Sequence, residues 1–540
     1  MLVSDENRLD AIVVGAGFAG VYMVHKLREM GRRVRAFEAG SGVGGTWFWN
    51  RYPGARCDVE SMEYSFAFSE ELEQEWEWTE RYSPQPEILS YINHVADRFD
   101  LRDHIQLNTK VRSAHYREEA GHPDEGRWQV ETDDGQQWTA AVFVTAVGCL
   151  SSTNTPDFPG LDSFDGELYH TSRWPHEGVD FSGKRVGVIG TGSSAVQAIP
   201  IIAEEAQHLT VFQRTPNFSI PARNGPLEAE KQMDIKSRYR EVREINRHRF
   251  AAFGFGWPKN QGLTFDKSPE ARCAVYEEFW EIGGLAYILA FADLLLDERA
   301  NDEAADFVRE KIREVVDDPE VADLLCPDHA VGCKRPCADT GYFETFNRDN
   351  VTLVDVSQSG IEGITSRGVV AGGCEVEVDC LILATGFDAM TGSLDAIDIR
   401  GRGGRTLKEK WSAGPITYLG LGSAGFPNLF TITGPGSPSV LSNMVTAIEQ
   451  HVEFIADCLA YMDEQGHAQI EATVDAETAW VRHVNDVADQ TIYPTCNSWY
   501  LGANIPGKPR VFMPHVGFPP YVAKCEEVVA KGYEGFSFPS

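Results

Sequence analysis

Long apolar runs are scarce in this 540-residue chain. The longest worth testing, Ile282 to Ala292, is broken by Asp293 and falls short of the ~20 residues that cross a bilayer. It is expected to form a buried helix. Basic residues are scarce too: 48 Lys and Arg face 81 Asp and Glu, a net charge of −33. A field of that sign repels polyanions, so nucleic acid and anionic membrane surfaces are not expected partners. The first ten residues carry Asp5, Glu6 and Asp10 and no apolar core, unlike a secretory leader, and a cytoplasmic protein is expected.

No C-x-x-C pair occurs among the eleven cysteines, which counts against a dithiol redox enzyme. Their odd number and wide scatter make reduced thiols the expectation. Even the tightest group, Cys326, Cys333 and Cys337 with His329, lacks the paired spacing of a structural zinc site, so no metal is expected.

What is present suits a folded chain. Apolar residues at 42% and charged residues at 24% are ordinary globular values and exclude a long disordered protein. At roughly 150 residues per domain, the length suggests about three or four domains.

Asp10 opens the β-branched run Ala11-Ile-Val-Val14, followed by Gly15-Ala-Gly17-Phe-Ala19-Gly20 and the helical pattern Val21 to Met30. The first glycine permits the tight turn, the second lets a pyrophosphate approach the backbone, and the third packs helix on strand. Phosphates then face a helix N-terminus. The next strand, Val34 to Phe37, ends in Glu38, placed where an acid accepts hydrogen bonds from a ribose diol.

The unit recurs. Arg185 to Ile189 reads as a strand, Gly190-Thr191-Gly192-Ser193-Ser194-Ala195 as the loop, Val196 to Ala206 as a helix and Leu209 to Phe212 as the next strand. Here the strand runs into Gln213-Arg214-Thr215, without an acid. A guanidinium binds a 2′-phosphate that a carboxylate would repel. The first site therefore suits FAD and the second NADP. The competing reading of Arg214 is a solvated arginine at a strand end.

Trp128 to Gly135 turns back into Ala141 to Gly148, and Gly368 to Gly373 is expected to turn similarly into Val378 to Gly386, since Asp-Gly and Gly-Gly are hairpin signals. These glycine-ended strands mark where the chain leaves and re-enters the first nucleotide domain. The expected fold is α/β: two Rossmann-like domains, the NADP domain (150–216 and 332–385) nested within the FAD domain (1–149 and 386–540). Residues 217–331, charged and helix-periodic over Glu228 to Phe250 and Ala304 to Val315, form a helical insertion that either walls a substrate cavity or is architectural. Ser498 to Pro509 is rich in glycine and proline and reads as a loop able to move.

Two dinucleotide sites without a redox dithiol imply hydride transfer to a flavin that then meets an outside acceptor, with dioxygen the leading candidate. Phe164-Asp-Gly166-Glu-Leu-Tyr-His170-Thr-Ser-Arg-Trp174-Pro175 resembles the signature of type I Baeyer–Villiger monooxygenases. Flavin enzymes that oxidise amines or sulfides usually end that motif with Tyr or Phe. A second signature stands at Gly44-Gly45-Thr46-Trp47-Phe-Trp49-Asn-Arg-Tyr52-Pro53-Gly54-Ala-Arg-Cys-Asp58. With Gly434 to Met444, the resemblance spans nearly the whole chain and is nearest to the phenylacetone and steroid monooxygenase branch.

The resemblance implies NADPH- and O2-dependent oxidation of ketones to esters or lactones through a flavin C4a-peroxide; the alternative is oxidation of amines or sulfides. An anionic oxygen nucleophile needs a neighbouring cation that keeps its own proton, and arginine meets that need. Arg335 matches the family's catalytic arginine and Asp58 its carboxylate partner. Asp58 also reads as a helix N-cap before Val59 to Phe66, and Arg335 as a surface ion pair. His170 is read as structural, coupling the two domains. Lys334 is expected to join Arg214 and Thr215 at the 2′-phosphate.

Trp499 matches a family tryptophan that closes over NADP; the competing reading is a packed aromatic. The remaining expected cofactor contacts are Gly15, Gly17, Ala19, Gly20, Glu38, Gly45, Thr46, Trp47, Trp49, Asp58, Tyr64, Val111 and Met444 for FAD. Thr191, Gly192, Ser193, Ser194, Ala195 and Gln197 are those for NADP. The expected partners are a small ketone and O2, in a monomer or weak homo-oligomer. Phe518-Pro519-Pro520-Tyr521 departs from the family's more glycine-rich stretch.

Overall fold

The computed structural model describes residues 7–119 and 122–539. The leader-free reading of the first ten residues therefore lies mostly outside the described residues. Two parallel-rich sheets organise the chain. In the first, the spatial order is Asp398–Arg400, Val111–Glu119, His122–Thr132, Gln137–Thr145, Arg8–Val14, Val34–Phe37, Ile105–Gln106, and Leu429–Thr431 also pairs with Gln137–Thr145. Arg8–Val14 runs parallel to both Val34–Phe37 and Gln137–Thr145, and it is buried along Ala11 to Val14 because helix Phe18–Glu29 lies over it. Near-continuous apolar strands are what a sheet covered on both faces requires.

The second sheet is wholly parallel: Val351–Asp355, His208–Gln213, Arg185–Ile189, Cys380–Leu383, Glu167–His170. Helix Ser193–Glu205 follows its glycine loop. The first sheet thus collects strands from 8–145 and 398–431, and the second from 167–213 and 351–383. Two crossings join them, one near residue 154 and one near 385. His170 sits between these crossings: its Nε2 lies 3.3 Å from the Asn154 carbonyl oxygen and 3.2 Å from Thr385 Oγ1, while Nδ1 accepts from Ser172 N–H at 3.1 Å. Trp174 is buried beside it.

Residues 217–331 carry helices including Ala229–Ser237, Tyr239–Arg247, Pro269–Ile282 and Glu298–Val315, the last two meeting in the aromatic cluster Tyr276, Tyr287, Phe291 and Phe307. This segment also supplies strand Ser219–Pro221, which pairs with Cys337–Asp339. No helix among the described residues is long and apolar enough to cross a membrane.

Three expectations need correction. Ile282 to Ala292 is largely buried, except for exposed Ala292, but is not one helix: Gly283 and Gly284 have φ of 79° and 57°, conformations open mainly to glycine, so helix Pro269–Ile282 stops and a short 3-10 segment, Gly284–Leu289, follows. The Gly372-Gly373 turn pairs Gly368–Ala371 with Cys374–Glu377, a small separate hairpin; Cys380–Leu383 instead enters the second sheet. Finally, the thiols are not all reduced. Cys333 and Cys496, 163 residues apart, are joined by a disulfide.

Candidate functional site

Both glycine loops owe their shape to close approaches. Gly15 has φ +103°, and a Cβ there would lie 2.5 Å from the Ala146 carbonyl oxygen; a Cβ at Gly20 would lie 1.9 Å from the Gly15 carbonyl oxygen. Helix Phe18–Glu29 can therefore pack on its strand only with glycine at these two positions. Beyond the loop, the Glu38 carboxylate accepts from Ala16 N–H at 2.8 Å and Gly40 N–H at 2.7 Å. Burial raises its pKa against the pull of those donors. Gly17 and Gly45 approach each other, and a Cβ on Gly45 would sit 2.9 Å from Gly17 Cα. The chain 44–49 thereby closes over the first loop, with Trp47 Nε1 donating to Tyr64 Oη at 3.1 Å. Ala19 is buried on helix Phe18–Glu29 and Val111 on strand Val111–Glu119, and Thr46 opens the short helix Thr46–Trp49. A flat dinucleotide laid along this loop meets backbone donors and a fixed carboxylate acceptor, which fits FAD.

In the second unit a Cβ on Gly192 would meet nothing within 4 Å, so the loop has an open side where helix Ser193–Glu205 begins. Thr191 Oγ1 donates to the Thr215 carbonyl at 2.8 Å, which ties the loop to the end of the next strand. Ala195 is buried against that strand in place of a third glycine. Arg214 lies close enough to Lys334 that, after burial, its charge is the second cause lowering the lysine's pKa. Among the described residues neither cation makes an ion pair. Two neighbouring cations without an ion pair, with Asp328 only partly offsetting Lys334, fit the 2′-phosphate of NADP.

Arg335 meets the end of the 44–58 segment, whose Gly45 lies against Gly17 of the first loop. Its Nε donates to Asp58 Oδ2 at 2.6 Å, Nη2 to Asp58 Oδ1 at 3.0 Å, and Nη1 to the Val440 carbonyl at 2.8 Å. Burial opposes the guanidinium charge, but the Asp58 carboxylate outweighs it and the pKa ends raised, so the side chain stays cationic at any working pH. Asp58 caps no helix: residues 59–66 form turns, and its carboxylate is committed to Arg335. Val440 belongs to the segment that leads into helix Met444–Gln465, whose first residue is Met444.

Several contacts had no signal in the sequence. Gln197, on helix Ser193–Glu205, accepts from Tyr52 Oη–H at 2.9 Å and donates from Nε2 to the Arg56 carbonyl at 3.1 Å, so it holds the 52–58 segment rather than pointing solely to the loop. Gly54, with φ +78°, lets that segment touch the same helix, since a Cβ would lie 2.4 Å from the Gln197 carbonyl oxygen. Trp499 packs against Tyr500 with ring centroids 4.3 Å apart and the planes tilted by 50°, and Tyr500 is buried beside Arg335. The far end of this loop is docked too: Lys508 Nζ contacts the Asp388 carboxylate and donates to the Ala389 carbonyl at 2.8 Å, and Asn504 Nδ2 donates to the Phe387 carbonyl at 2.7 Å. Phe518-Pro519-Pro520-Tyr521 is the first turn of helix Phe518–Ala530, and Tyr521 Oη–H donates to the Leu419 carbonyl at 2.7 Å.

Comparison with known proteins places these features. Residues 9–225 match the family model described as flavin-binding monooxygenase-like. A Baeyer-Villiger monooxygenase of Pseudooceanicola batsensis is 45% identical over 97% of this chain and 95% of its own length. Phenazine N-monooxygenase PhzNO1 of Lysobacter antibioticus is 42% identical over 99% of this chain and 98% of its own length. The solved structure of oxidized steroid monooxygenase bound to NADP superposes with a TM-score of 0.92 at 54% identity, covering 98% of this chain and 99% of that one.

Proposed function

The chain belongs to the Baeyer–Villiger monooxygenases, and on that premise we propose that it uses NADPH and dioxygen to convert a ketone to an ester or lactone, with Arg335 and Asp58 as the residues that carry the oxygen-insertion step. Its cofactors are FAD and NADP. NADPH supplies the hydride, and FAD supplies the redox centre at which dioxygen is activated. The chain's own residues do the rest.

The observation that carries this reading is the bidentate Arg335–Asp58 pair, at the end of the 44–58 segment that touches both nucleotide units. Two parallel bonds fix the plane of a guanidinium as well as its position. A cation that cannot surrender its proton leaves a neighbouring anionic oxygen nucleophilic, and the same charge stabilises the tetrahedral oxyanion formed when a ketone carbonyl is attacked. Asp58 holds the guanidinium so that no reorganisation is needed when that charge develops. Arg214, Lys334 and Thr215 bind the 2′-phosphate and select NADPH. Glu38 holds a ribose of FAD, with Gly15, Gly17, Gly20, Gly45 and Thr46 at its phosphates. Trp499 covers the nicotinamide end and excludes water.

The domain reading goes with this assignment: 1–149 and 386–540 bind FAD, 150–216 and 332–385 bind NADP, and 217–331 is the insertion. Strand membership in the two sheets supports it. Arg243 donates to the Glu63 carbonyl at 3.1 Å and Asn246 to Glu63 Oε2 at 2.7 Å, so the insertion packs on the segment just after Asp58 and bounds that side of the site.

Heteroatom oxidation is the second reading, favoured by the likeness to a phenazine N-monooxygenase. Trp174-Pro175 argues for ketones. Supplying purified holoenzyme with NADPH and a panel of ketones, amines and sulfides decides: ester formation supports the proposal, and N- or S-oxides without any ester reject it.

A further inference from the structure

Two segments at the site are joined by more than packing. Cys333 immediately precedes Lys334 and Arg335, and its disulfide partner Cys496 lies three residues before Trp499. Besides that bond, residues 493–501 are held by the Met513 N–H donated to the Tyr500 carbonyl at 3.0 Å, by the buried Tyr500 ring beside Arg335 and by aromatic contacts among Tyr493, Tyr500 and Phe512, while the far end of the loop has polar bonds at Lys508 and Asn504. Cys333 is fully buried and Cys496 half-buried, so Cys496 is the nearer of the two to solvent. His329 stands behind the pair. Its Nε2 lies 3.2 Å from the Pro216 carbonyl oxygen, and Nδ1 lies 3.1 Å from the Ala330 carbonyl oxygen and 3.6 Å from Cys333 Sγ. With the proton on Nε2, donated to Pro216, the Nδ1 lone pair faces the sulfur.

We propose that Cys333 and Cys496 form a reversible redox site, oxidised by hydrogen peroxide, whose disulfide tethers the Trp499 segment to the Lys334–Arg335 segment. Peroxide is the oxidant closest to hand, because a flavin oxygenase releases it whenever reduced flavin meets dioxygen without transferring the oxygen to substrate. The Cys496 thiol gives up its proton, its sulfur attacks one peroxide oxygen, the O–O bond breaks, and the leaving hydroxide takes up that proton as water, leaving a sulfenic acid on Cys496. Cys333 gives its proton to His329 Nδ1, and its thiolate attacks the Cys496 sulfur, forming the S–S bond and expelling the sulfenic oxygen as a second water with that proton. Two electrons pass from the two sulfurs to one peroxide. A small dithiol or glutathione reverses the step. The tether closes a loop of 163 residues, which restricts departure of the Trp499 segment without touching any cofactor-binding side chain. Leaked peroxide thus fastens the cover whose opening lets it leak.

The position of the tether over the nicotinamide rests on the function proposed above; the bond itself does not. The test compares full-length holoenzyme treated with hydrogen peroxide against the same enzyme treated with dithiothreitol. Thiols titrated in denaturant are expected to number two fewer in the oxidised sample, with a Cys333–Cys496 cross-linked peptide. Amide exchange over 493–501 is expected to be several-fold slower in the oxidised form, and NADP+ release several-fold slower as well. Cys496→Ser is expected to exchange quickly under both treatments. Should that variant fold poorly, the two states of the unaltered enzyme still decide. An unchanged thiol count, or equal exchange in both states, overturns the proposal. If NADP+ binds in neither state, the functional reading fails while thiol count and exchange still judge the tether.

Discussion

Arg335 holds Asp58 by two parallel hydrogen bonds across 277 residues of sequence, and its third nitrogen holds Val440. Three distant stretches therefore meet at one guanidinium: the 44–58 signature, the 333–337 segment and the approach to helix Met444–Gln465. The two side chains keep 23% and 25% exposure, so removing either member leaves the other charge only partly compensated by water, at a cost below the about 3–5 kcal/mol of a fully buried pair.

Arg335→Ala is expected to leave flavin reduction by NADPH nearly intact and to lower ester formation by on the order of a hundred- to a thousandfold, the usual loss for one oxyanion-stabilising donor. Anaerobic stopped-flow reduction and product analysis separate the two effects. Asp58→Asn keeps the shape but loses the charge, so the guanidinium is less firmly held and an intermediate loss is expected. Retained oxygenation in Arg335→Ala sinks the assigned role.

Replacing Arg214 with Ala is expected to weaken NADPH binding by about 1.5–3 kcal/mol, the net worth of a charged hydrogen bond, and to leave NADH unaffected. The ratio of kcat/KM for the two cofactors reads this directly. An equal loss for both would assign Arg214 to the fold instead of the 2′-phosphate.

Lys334 has a pKa lowered by burial and then by Arg214. The cationic form is therefore lost at a lower pH than for an ordinary lysine. The KM for NADPH is expected to rise as pH climbs toward that value from below, with no matching rise for NADH. Lys334→Arg, which stays charged, is expected to flatten the profile. A profile unaltered by this substitution contradicts the assignment.

Gly54→Ala would place a Cβ 2.4 Å from the Gln197 carbonyl at a φ of +78°. Strain of that kind costs about 1–3 kcal/mol. A lower melting temperature is expected together with a loss of ester yield larger than the loss of flavin reduction, because the displaced segment ends at Asp58. Equal losses in both reactions would argue against that route.

How much of this was legible depended on whether the determining contacts are local. Val34–Phe37 and Arg185–Ile189 were readable because short β-branched runs beside glycine loops leave few alternatives. The break at Gly283-Gly284 was not, since apolar composition alone does not distinguish a buried helix from a buried turn. Arg335 and Asp58 could be named only through family resemblance; nothing in 277 residues of spacing says that they touch. Gln197 was read as a cofactor contact because it follows a phosphate loop, and its bonds to Tyr52 and Arg56 depend on how two units dock. The Cys333–Cys496 bond runs against the composition argument outright, because scattered cysteines carry no information on which two the fold brings together.

The most direct test is a turnover of purified holoenzyme with NADPH, a ketone panel and oxygen-18 gas, following NADPH, ester and hydrogen peroxide together. The account predicts that at least one ketone gives an ester or lactone carrying one oxygen-18 atom for each NADPH consumed, and that Arg335→Ala consumes NADPH while releasing hydrogen peroxide instead. NADPH oxidation that yields only peroxide with every ketone, or labelled ester undiminished in the variant, would contradict it.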